Sequence, residues 1–169
     1  ELARTYDAKY KVNPPLRTQE DVEALREALV DGTIDIIATD HAPHPIETKD
    51  CEWAAAAFGM VGLETAASVA QLVLIESGKS NWQRLAEVMS LNPAKIAGDS
   101  GHGEAIAIGA FANLALIDPK AKRNITSQTA SKSVNNPYAG LEMPGAVVHT
   151  VFKGRLTVTD GKLVSGGSR

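Results

Sequence analysis

Cysteine occurs once in the 169 residues, at Cys51, so the chain cannot brace itself with an internal disulfide. No apolar run reaches the length of a membrane span or has the layout of a signal peptide. No basic block stands out against the net charge of -3, which argues against nucleic acid and against an anionic membrane surface as partners. The cytoplasm is the expected compartment. Repeats and low-complexity tracts are missing too, as is an initiator Met, and "ELARTYDAKYKVNPPLR" runs straight into a Pro-Pro turn. The chain therefore reads as the remainder of something longer. What is present is a hydrophobic content of 44%, enough for the core of a soluble globular protein.

The first confident element is a helix in "TQEDVEALREALVDG". Thr18 stands at the N-cap, Asp21 in capping-box position, Val22, Leu25 and Leu29 on one stripe, and Gly32 as the stop. Directly after it "IDIIATD" packs β-branched residues into a run suited to a strand buried on both faces. Helix followed by buried strand predicts an α/β layout. "TAASVAQLVLIESG" predicts a second helix ended by Gly78, and "NWQRLAEVMSLNPAKIAG" one capped by Asn81, with Pro93 starting a further short helix. Beyond Gly103 the texture turns β-rich in "AIAIGAFANLALID" and "AVVHTVFKGRLTVTDGKLV", the latter with a hairpin turn at "TDGK". The expected division is residues 1–102 and a β-rich module over 103–169, with a surface return loop over 131–145.

"IIATDHAPH" ends an apolar run in one carboxylate and two imidazoles. In parallel α/β architectures reactive groups gather where strands end. Asp40 at such an end can ligate a cation or carry a proton, or it can simply cap a turn ahead of Pro43. His41 and His44 are three apart, but Pro43 stiffens the backbone between them, so convergence of both rings on one ion is not expected. Asn13, in "VNPPLR", can recognise an amide or a carboxylate, or serve as a turn residue before proline. His102 and His149 are expected in solvated or packed roles.

Taken in order, "KVNPPLR", "DGTIDIIATDHAPH", "FGMVGLE", "NPAKIAG" and "NPYAG" resemble the C-terminal part of bacterial dihydroorotases of the larger, amidohydrolase-type class. The resemblance implies the C-terminal part of a (β/α)8 TIM-type barrel plus strands of a small flanking β-sandwich. It implies Asp40 as both metal ligand and catalytic acid/base, one or two zinc ions, and substrate contacts from Asn13, His44 and the backbone at Phe58 and Gly59. His41 receives no comparable job and is expected to be held by packing or a backbone bond. The reaction implied is reversible hydrolysis of (S)-dihydroorotate to N-carbamoyl-L-aspartate, a step of pyrimidine biosynthesis.

The family also needs an early His-x-His, histidines from middle strands and often a carboxylated lysine, and this sequence has none of them. The expectation is that an N-terminal half of the same enzyme completes the site, with a homo-oligomer or an aspartate transcarbamoylase complex as further assemblies. Two alternatives stay open. One is another cyclic amidohydrolase, a hydantoinase or allantoinase; the other is a non-catalytic dihydroorotase-like subunit scaffolding the transcarbamoylase.

Overall fold

The computed structural model describes residues 2–164; Glu1 and the last five residues of the predicted β-rich module lie outside it. Two short 3-10 turns, Leu2–Thr5 and Ala8–Tyr10, lead into helix α1, Gln19–Asp31. Its start is the predicted capping box: Thr18 accepts from the Asp21 N–H while the Asp21 carboxylate accepts from the Thr18 backbone, so two otherwise orphaned donors are satisfied. Gly32 ends it at φ 94, a left-handed conformation that a side chain would resist. Of the predicted stripe, Leu29 is buried but Leu25 is open to solvent.

The strand expected at "IDIIATD" does not form a ladder. Its backbone donors are engaged singly and not as a ladder: the Ile34 N–H donates to the Ala28 carbonyl and the Ile37 N–H to the Val88 carbonyl, each at 2.9 Å. A buried parallel strand exists only between two others, and no segment among the described residues lies alongside to pair with it. The apolar side chains still find partners: Ile34 and Ile37 pack on a core of Leu29, Ala70, Leu74, Leu85 and Val88.

That core is closed by two helical stretches. Helix α2, Ala66–Gln71, widens into a π-helical Leu72–Glu76. Helix α3, Trp82–Ala86, capped by Asn81 as predicted, widens likewise over Glu87–Leu91 and continues without a break into α4, Asn92–Ala97. Pro93 stands in the first turn of α4, as expected, although α4 follows the wider turn with no gap. Proline removes an N–H and crowds the carbonyl four residues back, and the wider turn just ahead of it is one way a helix absorbs such a defect. Arg84 braces the junction, donating to the Leu29 carbonyl at 3.0 Å and the Ile34 carbonyl at 3.1 Å, where the last turn of α1 has unpaired acceptors.

The second region is one antiparallel sheet in the order β1-β2-β3-β4: Leu114–Asn124, Glu142–Phe152, Arg155–Thr159 and Lys162–Leu163. It begins later than predicted. Residues 104–113 form turns rather than strand, leaving Ile106, Ile108 and Phe111 exposed, because an alternating segment without a partner strand has nothing to pair with. The return loop is also shorter than 131–145, since residues 142–145 already belong to β2 and Glu142, Met143 and Pro144 pair with β1. Both later hairpins turn through two positive-φ residues, Lys153–Gly154 and Asp160–Gly161, the geometry that matches strand twist. A second sheet layer is not seen among the described residues.

Helices and sheet meet at α2 and β2. The Ser68 hydroxyl donates to the Gly145 carbonyl at 3.3 Å, and the fully buried Gln71 amide donates to the Pro119 carbonyl at 2.9 Å. Gly145, at φ 76, is required twice over: its backbone is left-handed, and a Cβ there would lie 2.2 Å from Gln71 Oε1.

Candidate active site

Four segments converge at the end of the 34–40 run. Residues 39–44 run beside 58–63: the Ala42 N–H donates to the Met60 carbonyl at 3.0 Å, and His41 Nδ1 accepts from Gly62 at 3.0 Å and Leu63 at 3.4 Å. His41 thus takes two backbone donors at the start of the turn leading into α2, which leaves its ring proton on Nε2. On the other side the Gly59 N–H donates to the Lys11 carbonyl at 3.0 Å, and Asn135, buried in the loop ahead of β2, donates to the Gly59 carbonyl at 2.9 Å.

Asp40 is exposed, and its carboxylate makes no hydrogen bond or ion pair among the described residues. Its backbone is left-handed at φ 46, a conformation uncommon outside glycine but least costly for Asp and Asn. A turn-capping Asp would spend its carboxylate on nearby N–H groups. This one does not, and backbone strain of this kind gathers at functional sites.

His44 touches the predicted Phe58–Gly59 backbone. Its Nε2 lies 2.8 Å from the Phe58 carbonyl, and since a carbonyl only accepts, Nε2 carries the proton and Nδ1 is the atom left for another partner. Gly59 fits against this ring because it lacks a side chain; a Cβ would sit 2.8 Å from His44 Nε2 and 2.7 Å from Ala42 Cβ. The Phe58 carbonyl and both polar groups of Gly59 are therefore already engaged within the chain. Asn13, exposed and two residues beyond Lys11, makes no side-chain hydrogen bond among the described residues. A cleft of about 700 Å³ opens beside His44, lined by Pro43, Ile46, Lys132 and Val134 among others.

The structure therefore joins His44, Phe58 and Gly59 directly, and reaches Asn13 through Lys11. It links Asp40 to none of them by a hydrogen bond. The described residues contain no group of three or more His, Cys, Asp or Glu able to hold a metal ion, and one carboxylate is not a metal site. His102 pairs with Asp99 at 2.9 Å, away from this cluster. Sequence reasoning passed over Lys11, Lys49 and Asn135. Lys11 and Lys49 are buried, and burial next to the Lys11 charge holds the Lys49 ammonium below the usual lysine range. Only Asn135 had a motif beside it, directly ahead of "NPYAG".

The model of the amidohydrolase family matches residues 9–157, and the chain belongs to that family. Within it, the chain is similar to the dihydroorotases of Streptomyces coelicolor, at 57% identity over 96% of this chain and 38% of the relative, and of Leifsonia xyli, at 55% over 100% and 39%. The dihydroorotase of Mycobacterium tuberculosis is 44% identical over 94% of this chain and 37% of its own length. The chain thus spans under two fifths of the curated relatives it matches. Among solved structures it superimposes on an L-hydantoinase (dihydropyrimidinase) from Arthrobacter aurescens with a TM-score of 0.81 at 30% identity, over 95% of this chain and 38% of that one. A D-hydantoinase (dihydropyrimidinase) from Thermus sp. gives 0.81 at 27% identity, over 93% and 35%. The α/β arrangement is accordingly that of part of an amidohydrolase barrel with its flanking strands.

Proposed function

We propose that this chain is the C-terminal part of a dihydroorotase, interconverting (S)-dihydroorotate and N-carbamoyl-L-aspartate in cytoplasmic pyrimidine biosynthesis. The observation that carries the reading is the 57% identity to a dihydroorotase along nearly the whole chain, set beside a strained, unpartnered Asp40. We assign residues 1–102 to the barrel and 103–169 to the flanking module. The rest of the longer polypeptide supplies the remaining metal ligands, and a homo-oligomer or transcarbamoylase complex is a further assembly.

Asp40 is one ligand for one or two zinc ions, and zinc, when bound, polarises the ring amide carbonyl and makes water a better nucleophile. Asp40 accepts the proton of the attacking water and returns it to the departing ring nitrogen. Asn13 donates to the substrate's carboxylate and His44, through its unprotonated Nδ1, accepts from a ring N–H, so that attack is effectively intramolecular. A hydantoinase activity is the second reading, favoured by the structural matches. A purely scaffolding subunit has no use for a carboxylate held free in a strained turn.

The test is the complete protein containing this chain, assayed on dihydroorotate, hydantoin and allantoin. Turnover confined to dihydroorotate is expected. A preference for hydantoin or allantoin would replace the reading, and a metal-loaded protein inert on all three would favour the scaffold.

A further inference from the structure

Lys11 and Lys49 are 7% and 4% exposed, and neither forms an ion pair with a carboxylate among the described residues; Asp7 pairs with Lys9 at 3.0 Å and gives Lys49 only a longer-range attraction. Each ammonium is held by backbone carbonyls. Lys11 Nζ donates to Trp53 at 2.7 Å and Ala54 at 3.1 Å and lies 4.6 Å from the Phe58 ring centroid. Lys49 Nζ donates to Ala57 at 2.8 Å and to the Lys11 carbonyl at 3.2 Å, the same oxygen that receives the Gly59 N–H. The two side chains thus bolt together the 53–59 and 11–13 segments, which end at Phe58–Gly59 beside His44 and at Asn13.

A neutral strap would do this mechanical job at lower cost, because two like charges buried side by side repel and lose hydration that carbonyl dipoles only partly replace. Charge kept at that cost needs a compensating ligand. Resting on the dihydroorotase reading, we propose that Lys11 and Lys49 are positioning residues of the substrate-carboxylate subsite: they fix Asn13 against Phe58–Gly59 and supply the positive potential that favours an anionic substrate. They touch the clamp and not the reacting atoms.

The experiment uses Lys49→Met and Lys11→Met in the complete enzyme, with orotate and its neutral methyl ester as competing ligands. In each variant KM for dihydroorotate is expected to rise on the order of tenfold, the scale of one partly shielded charge, with a smaller change in kcat and full metal content. The preference for orotate over the ester should fall by a similar factor, and Lys49→Arg should recover part of both. A mere loosening of the fold would weaken the two ligands alike. An unchanged orotate-to-ester ratio overturns the proposal, as does failure of both methionine variants to fold, which would make the lysines structural. Wild-type enzyme inert on dihydroorotate would instead sink the functional reading beneath it.

Discussion

The sheet of residues 114–163 and the helical region ahead of it solve the same problem with different success. Each strand of the sheet finds its partner within a few tens of residues, through tight two-residue turns or one return loop. The 34–40 run has the more apolar composition, yet it joins no sheet among the described residues and survives as an extended segment resting on helices. Hairpin strands carry their partners with them, whereas a parallel strand depends on segments far away in sequence. The same contrast explains the chemistry, because the site at the end of that run has one strained carboxylate and, among the described residues, no companions to make a metal centre.

The strongest test of this contrast is the chain by itself. Residues 1–169 expressed alone should show no dihydroorotase turnover and only weak zinc binding, since Asp40 is a single ligand where a tight site takes three or four. Adding the complementary segment should restore bound metal and turnover together, as ligand assembly and folding are coupled. A monomeric, metal-loaded, active fragment in gel filtration and metal analysis would erase the distinction between the two regions.

Next in size is Asp40 in the complete enzyme. Asp40→Ala should abolish turnover. Asp40→Asn should lose on the order of 10² to 10⁴ in kcat from the proton transfer, and steady-state assay with dihydroorotate checks both. Substantial activity in the Asn variant would remove the acid/base role.

On the sheet side, Gly145→Ala tests whether β2 is as self-sufficient as its pairing implies. The new Cβ must displace the buried Gln71 side chain that reaches Pro119, so a loss of about 1–3 kcal/mol is expected from overpacking, read as a lower thermal midpoint. No change would mean that the helix-to-sheet contact is dispensable. The smallest effect belongs to the cap of α1. Thr18→Ala should cost about 1 kcal/mol. The Thr18 hydroxyl and N–H hold the Asp21 carboxyl below its usual range. A lowered folded-state value means that this contribution is present at neutral pH and fades as pH falls through the carboxylate range. The stability gap between wild type and Thr18→Ala should therefore narrow on acidification, down to the part due to the Thr18 hydroxyl accepting from the Asp21 N–H.

Local chemistry was readable from the residues: the Thr18 and Asn81 caps, the Gly32 and Gly78 stops and the Asp160–Gly161 turn all depend on near neighbours. The Lys153–Gly154 turn was as local but was passed over. Longer-range features were not readable. Whether "IDIIATD" becomes a strand is decided by its neighbours, and "AIAIGAFAN" alternates like a strand without a partner to pair with. The Lys11–Lys49 clamp joins residues 38 apart in sequence, and two lysines in polar stretches look like surface until the fold buries them. At the site, Asp40 and the histidines announced themselves by type, while Asn135 and the lysines donate to backbone carbonyls, partners that a sequence pattern does not reveal.

The left-handed backbone at Asp40 also constrains what could ever replace it. Because Asn shares the tolerance of Asp for that conformation, Asp40→Asn changes the acid without disturbing the turn, and any defect it shows belongs to metal ligation or proton transfer and not to the backbone. Glu keeps the acid but favours ordinary backbone and reaches one carbon further, so Asp40→Glu mixes the two effects. The turn and the reaction thus screen substitutions independently, and only a short carboxylate passes both.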